Sequence, residues 1–365
     1  MRPSWVEVDL DAIRHNVRQI REAVGPARFC AVVKADGYGH GDVPVAGAAL
    51  EAGADWLAVA TVTEGLRLRE AGIEAPILLL SEASGTDVAC LIAERLTPTV
   101  YSEEFLAVLA AAAEAPLGVH VKLDTGMHRV GADEETAGRL VGQIQADPRL
   151  HLEGLWTHFP SAEDDAAFTG AQIKQLHRLV AQQRAAGAEP QLVHAANSAG
   201  ALLYPEGRFD MVRVGLAMYG CYPSPAGREV VALQPAMRVV SQVVHTKRLP
   251  AGARPTYGRI RPLAEESTVA TIPIGYADGI TRRLAKIGGE VLIGGRRRQY
   301  AGIVTMDQIV VNMGNDPVEV GDEVVLLGRQ GDEEIDADEW AERLDSVSWE
   351  VLCGFGPRLP RRYRG

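Results

Sequence analysis

Aromatic residues are scarce in this chain of 365 residues, 5% against 47% hydrophobic overall. Cysteine is scarcer still, and Cys30, Cys90, Cys221 and Cys353 lie far apart with no C-x-x-C pair. That spacing argues against a disulfide framework or a zinc knuckle and fits reduced thiols. Cys353 itself reads as a small buried apolar residue. Long basic runs are missing too. The net charge is −11, and the short clusters "GGRRRQY" and "RLPRRYRG" sit among acids. Nucleic acid and anionic membrane surfaces are therefore poor partners. The opening "MRPSWVEVDLDAIRHNV" has no apolar signal core, and no stretch reaches the ~18 apolar residues of a membrane span. A cytoplasmic protein is expected. There are no internal repeats, no G-x-x-x-x-G-K-[ST] or G-x-G-x-x-G loop, and no H-x-H or H-E-x-x-H pair. His158 and His194 lack carboxylates at ligand spacing, so no metal is expected.

What is present is a rhythm. Apolar runs at 29–35, 56–60, 76–80, 96–100, 117–124, 152–158, 192–197 and 211–216 alternate with alanine- and leucine-rich helical segments. In "TVTEGLRLREAG", Thr61 and Glu64 predict a capping box and Gly72 a stop. Continuously apolar strands belong to a parallel sheet covered on both faces. Eight such units predict a (β/α)8 TIM-like barrel over residues 1–235, with a doubly wound open sheet as the structural alternative. From residue 236 the texture becomes valine- and isoleucine-rich runs between polar turns. This predicts a mostly antiparallel β domain over 236–365, with one helix near 336–352.

Barrel chemistry sits at the carboxyl ends of strands. Lys34 ends the run in "AVVKADGYGHG". Arg129 follows "VKLD", His158 ends "LEGLWTH", Asn197 and Ser198 end "LVHAAN", and Arg213 and Gly215 lie in "MVRVGL". Each alone fits a salt bridge or a cap; five strand ends together point to one rim. A lysine at such an end is either a carboxylate's partner or, once desolvated, a nucleophilic amine. The glycines after Lys34 suit close approach of backbone to a ligand. "ANSAG" opens a helix whose N–H groups suit an anion, although capping explains Ser198 as well. An amine plus a late-strand phosphate cup points towards pyridoxal 5′-phosphate (PLP).

"VVKADGYGHG", "KLDTGMHRVG", "LWTHF", "HAANSAG", "RVGLAMYG", "TYGR", "IPIGYADG", "MDQIVV" and "PRLPRRY" together resemble the alanine racemase family, in order and over nearly the whole chain. The resemblance implies a PLP enzyme that interconverts L- and D-alanine, supplies D-alanine for peptidoglycan, and works as a homodimer with shared active sites. It implies that Lys34 binds PLP covalently and is one base, with Tyr257 of the other subunit as the second. Tyr38 and Ser198, with backbone of Gly215 and Leu216, would contact the phosphate. His158 would lie against the pyridine ring, Arg213 would face its nitrogen, and Asn197 would line the pocket. Arg129, Met306 and Asp307 would meet the substrate carboxylate, Tyr276 would narrow the entrance, and Lys122 matches a lysine that some members carbamylate.

Two bases on opposite faces are what inversion by proton transfer requires. A guanidinium at the ring nitrogen would leave that nitrogen unprotonated, weakening the electron sink and limiting side reactions. The chain departs from the family pattern at His128, where many relatives have glycine, at Pro160, and at Pro357, where some carry a phosphate-contacting tyrosine that Tyr363 could replace. A broader-specificity amino-acid racemase and a fold-related PLP decarboxylase are the alternatives. The decarboxylase normally needs an acid at the ring nitrogen, and Arg213 argues against it.

Overall fold

The computed structural model describes residues 2–365. Nine parallel segments form one sheet: Arg28–Val32, Trp56–Val59, Ile77–Leu79, Leu96–Thr97, Thr99–Val100, Leu117–Lys122, Leu150–Trp156, Leu192–His194 and Met211–Val214. Leu96–Thr97 pairs with Ile77–Leu79, and Thr99–Val100 pairs with Leu117–Lys122. Only Pro98 separates these two pieces. It has no N–H for the ladder, but its carbonyl accepts the N–H of His120 at 2.9 Å. The two pieces are one stave broken by a proline, so the sheet closes on eight strands and the open-sheet alternative falls. All eight predicted strands are present.

Helices alternate with the staves. Thr61 and Glu64 make the predicted capping box on Val62–Glu70. Gly72 then takes the left-handed conformation, φ +82°, and the helix stops.

The chain divides into two compact units. One holds Ala12–Gly37 and Asp42–Gln234; the other holds the chain through Asp11, Tyr38–Gly41 and Pro235–Gly365. The sequence places all of 1–235 in the barrel. The opening helix is present, Leu10–Val24, but Ser4–Asp9 before it is a strand, paired antiparallel with Met237–Gln242 and parallel with Arg361–Arg364. The cause is the alternation in "SWVEVD", which puts Val6 and Val8 in the core of a sheet otherwise built of C-terminal residues.

That sheet runs in the order Arg296–Gln299, Glu290–Ile293, Glu323–Gln330, Met237–Gln242, Ser4–Asp9, Arg361–Arg364, with Glu333–Ile335 alongside Glu323–Gln330. His245–Leu249, Ser267–Ile272 and Ile309–Gly314 form a second, antiparallel sheet. The helix expected over 336–352 is two, Ala337–Leu344 and Ser348–Cys353. Asp345, at φ +57°, closes the first, and the N–H of Ser346 returns to Ala341 O at 2.9 Å. Cys353, expected to be buried, is exposed. No helix among the described residues is long and apolar enough to cross a membrane.

Candidate active site

The first stave ends at Val32, and Lys34 opens a turn of the opposite hand. Ala35, Asp36 and Gly37 have φ/ψ near +55°/+47° (53/49, 54/47 and 58/45), and Tyr38 follows at φ +52°. A left-handed conformation costs roughly 1–2 kcal/mol for each residue with a Cβ. Specific bonds offset this. Glu64 accepts the N–H of Ala35 at 2.8 Å, Val33 O accepts that of Gly37 at 2.9 Å, and Asp36 accepts that of Asp42 at 3.3 Å.

In Tyr38–Gly41 the glycines serve the chain itself, where the sequence suggested approach to a ligand. A Cβ on Gly39 would sit 2.5 Å from Leu352 O, and one on Gly41 would sit 2.0 Å from the Tyr363 hydroxyl. Arg361 also donates to Gly39 O at 3.0 Å. Tyr363 thus packs on this loop. Burial pushes the Tyr38 phenol up to about 12, with Cys353 adding to the rise, so it stays a hydrogen-bond donor.

Arg213 stands one residue before the end of the eighth stave and is only 3% exposed. Its Nη1 donates to His194 Nδ1 at 2.7 Å. Its Nη2 donates to Thr157 O and Ala195 O, both at 2.9 Å, and to His158 Nδ1 at 3.2 Å. None of these bonds uses Nε, so that donor is left for an acceptor. Burial brings the guanidinium down to about 10, still a cation near neutrality. Trp156 lies beneath it, with the guanidinium carbon 4.4 Å from the ring centroid, and Lys122 Nζ is also 4.4 Å from that centroid.

Positive charge accumulates here. His158 is held well below its ordinary value, first by burial and then by Arg213, Lys122, Arg129 and Lys34. Lys122 is brought down to about 7 by burial, with Arg213, Arg129 and Lys34 pushing the same way and Asp124 opposing. One rim therefore gathers Lys34, Lys122, Arg129 and Arg213, a field that favours anions. In the loop carrying Arg129, Asp124 accepts the N–H groups of Gly126 and His128 at 2.9 and 3.1 Å. His128 has φ +55°, the region glycine prefers.

Asn197, not Ser198, caps the helix Ser198–Leu203: its Oδ1 accepts from Gly200 N at 2.9 Å, and its Nδ2 donates to Phe159 O at 3.2 Å. Ser198 Oγ instead accepts the N–H groups of Gly215 and Ala217, both at 3.2 Å. This ties the helix start to the turn Leu216–Tyr219 and leaves the Ser198 hydroxyl proton for an acceptor. A ligand with an aldehyde, an acceptor ring nitrogen and a phosphate matches this donor set: amine, guanidinium Nε, hydroxyl and cation field.

In the other unit, three separated segments are tied together. Thr256 Oγ1 accepts the N–H of Ile303 at 2.7 Å. Tyr276 N and Ala277 N donate to Thr305 O and Met306 O at 2.9 and 3.1 Å, and a Cβ on Gly275 would sit 2.3 Å from Thr305 O. Asp307 accepts from Arg358 at 2.6 Å. These bonds present Tyr257, 74% exposed, with Met306 and Tyr276 also exposed. Thr256 and Arg259, which flank Tyr257, have positive φ, 65° and 48°.

The sequence matches the alanine racemase N-terminal domain over residues 8–223 and the alanine racemase C-terminal domain over 236–363. It is 45% identical to an alanine racemase of Symbiobacterium thermophilum, over 100% of this chain and 98% of that protein. It is 43% identical to one of Geobacillus stearothermophilus, over 99% and 93%. The chain belongs to the alanine racemase family. Its fold superposes on the alanine racemase of Bacillus anthracis with bound L-Ala-P at a TM-score of 0.94, with 37% identity over 100% of this chain and 96% of that one. A histidine racemase from Leuconostoc mesenteroides shares the fold at a TM-score of 0.90 and 28% identity, covering 100% and 98%. As a member of this family the protein is an isomerase, a racemase.

The motif residues of the family hide part of the site from sequence reading. His194 was weighed only as a metal ligand, and His120 and Glu153 were not considered. All three stand behind Arg213. The available signal was a histidine inside each of two apolar staves, with Gly118 and Gly154 where a strand gains nothing from glycine.

Proposed function

We propose that this protein interconverts L- and D-alanine with PLP as cofactor and two proton-transferring side chains. The gathering of Lys34, Lys122, Arg129 and Arg213 at one barrel rim carries the reading, because such a field needs phosphate and carboxylate anions to balance it. Lys34 would hold PLP covalently. Tyr38 and the Ser198 hydroxyl, with the turn at Gly215 and Leu216, would hold its phosphate. Arg213 Nε would donate to the ring nitrogen, His158 would lie beside the ring, and Asn197 would line the pocket. PLP, when bound, supplies the electron sink that makes the Cα proton of alanine removable.

The chain's own groups do the rest. Lys34 Nζ takes or gives the proton at Cα on one face, and the Tyr257 hydroxyl does so on the other. Tyr257 is exposed in the single chain. A base that works in a dry site must be covered, which supports a homodimer in which Tyr257, Met306 and Asp307 serve the partner's site and Tyr276 narrows its entrance. Arg129 would bind the substrate carboxylate. Lys122, brought down to about 7, has a substantial neutral fraction near neutrality and suits carbamylation: CO2 bonds to the amine nitrogen, a proton leaves to solvent, and the new anion offsets the cations around it. The product would supply D-amino acid for peptidoglycan in the cytoplasm.

The test is incubation of the PLP-loaded protein with L-alanine in heavy water, read by chiral chromatography and mass spectrometry. D-alanine carrying deuterium at Cα is expected; no exchange would overturn the reading. A panel of L-amino acids addresses breadth, since the fold is shared with a histidine racemase. Release of CO2 with no racemisation would favour a decarboxylase.

A further inference from the structure

A line of buried side chains runs from Arg213 through the barrel interior, and its polarity can be read step by step. Arginine only donates, so His194 Nδ1 accepts from Arg213 Nη1 at 2.7 Å. The His194 proton is then on Nε2, which lies 2.9 Å from His120 Nδ1. His120 must accept there and carry its own proton on Nε2, which faces Glu153 Oε2 at 3.5 Å, an ion-pair approach with no closed hydrogen bond. Both rings are fully buried, and the Glu153 side chain is 21% exposed.

The barrel is shaped around this line. A Cβ on Gly154 would lie 2.2 Å from His120 Nδ1, and one on Gly118 would lie 2.8 Å from Glu153 Oε2. At Gly154 the buried ring leaves room for glycine alone, whereas Gly118 faces only the movable side-chain ends of Glu153 and His151. The ladder also skips Glu153: Val119 opposes Leu152, and His120 opposes Gly154. Glu153 is the extra residue of a bulge, a device that re-aims a side chain. Trp156 stacks on His194 with centroids 5.3 Å apart at 15°, and Trp56 tilts against His120 at 5.5 Å. The charged groups acting on the two rings are Arg213, Glu153 and His151, and Arg28 acts on Glu153.

A proton passed along the line would have to leave Arg213, and a guanidinium does not release one near neutral pH. The line is a lock, not a wire. We propose that His194, His120 and Glu153 are positioning residues that hold Arg213 in one donor orientation, with Nε the donor it offers to the cofactor ring nitrogen. This rests on the reading of Arg213 given above.

Two measurements test it. In protein free of cofactor, 15N-histidine NMR is expected to show both rings neutral with the proton on Nε2 between about pH 6 and 9. A proton on Nδ1, or an imidazolium near pH 7, would overturn the lock. In protein loaded with PLP labelled at the ring nitrogen, His120→Phe and the milder Glu153→Gln should move the ring 15N signal and lower kcat roughly 10-fold, with KM for alanine within about 2-fold. Arg213→Gln is the control. If it moves the ring signal while both relay variants leave it in place, the relay is wrong. If Arg213→Gln itself leaves the signal in place, the reading of Arg213 is wrong instead.

Discussion

Arg213 and Tyr257 stand at opposite extremes of burial, 3% and 74% exposed. The contrast extends to their surroundings. Arg213 makes four hydrogen bonds to staves and loops of its own unit and rests on Trp156. Tyr257 stands on a loop with three residues of positive φ, Thr256, Gly258 and Arg259, anchored through Thr256. The barrel rim is organised in advance within one chain, whereas the β unit offers groups that await a cover. On the proposed function, the cofactor grip would belong to one chain, while the second proton carrier would need a second chain to be dry.

The largest break in that contrast comes from Tyr257→Phe. Its exposure predicts an unchanged fold, but loss of one proton carrier should lower kcat by about 10²–10⁴. Circular dichroism should match the parent. An equal kcat would remove Tyr257 as a base. Arg213→Glu attacks the other side. With a carboxylate at the ring nitrogen, the ratio of transamination to racemisation should rise about tenfold or more, measured as loss of cofactor absorbance per turnover. An unchanged ratio would show that the guanidinium does not limit the sink.

Gly154→Ala probes the rim's support without touching cofactor or substrate. Its Cβ would meet His120 at 2.2 Å, so a loss of about 1–3 kcal/mol is expected, seen as a lower urea midpoint at constant slope. The smallest effect concerns Lys122. Its folded value near 7 lies below the ordinary 10.5. The unfolded chain therefore binds more protons between those values, and stability should rise with pH through that window, by at most about 1.4 kcal/mol per unit. Cofactor-free Lys122→Met should lose that slope. Identical slopes would place the lysine in water.

The barrel staves were legible because strands covered on both faces are apolar throughout; Leu57, Leu78 and Val121 are fully buried. Lys34, His158 and Arg213 stood out as polar residues ending such runs. Ser4–Asp9 was missed because its partners lie more than 200 residues away, and local pattern carries no pairing information. The left-handed turn was illegible for a related reason. Ala35 and Asp36 favour a right-handed helix locally, and Glu64 and Asp42 hold them otherwise. His120 and His194 meet across 74 residues of sequence, a contact that periodicity cannot show.

The account rests on Lys34 and Tyr257 of different subunits serving one site, and mixing two inactive variants tests it. Lys34→Ala and Tyr257→Phe homodimers should each be nearly inactive. After subunit exchange, half of the dimers should be mixed, each with one intact and one doubly defective site, restoring about a quarter of the parent activity. Verified exchange with no recovery would contradict the shared site and return both bases to a single chain.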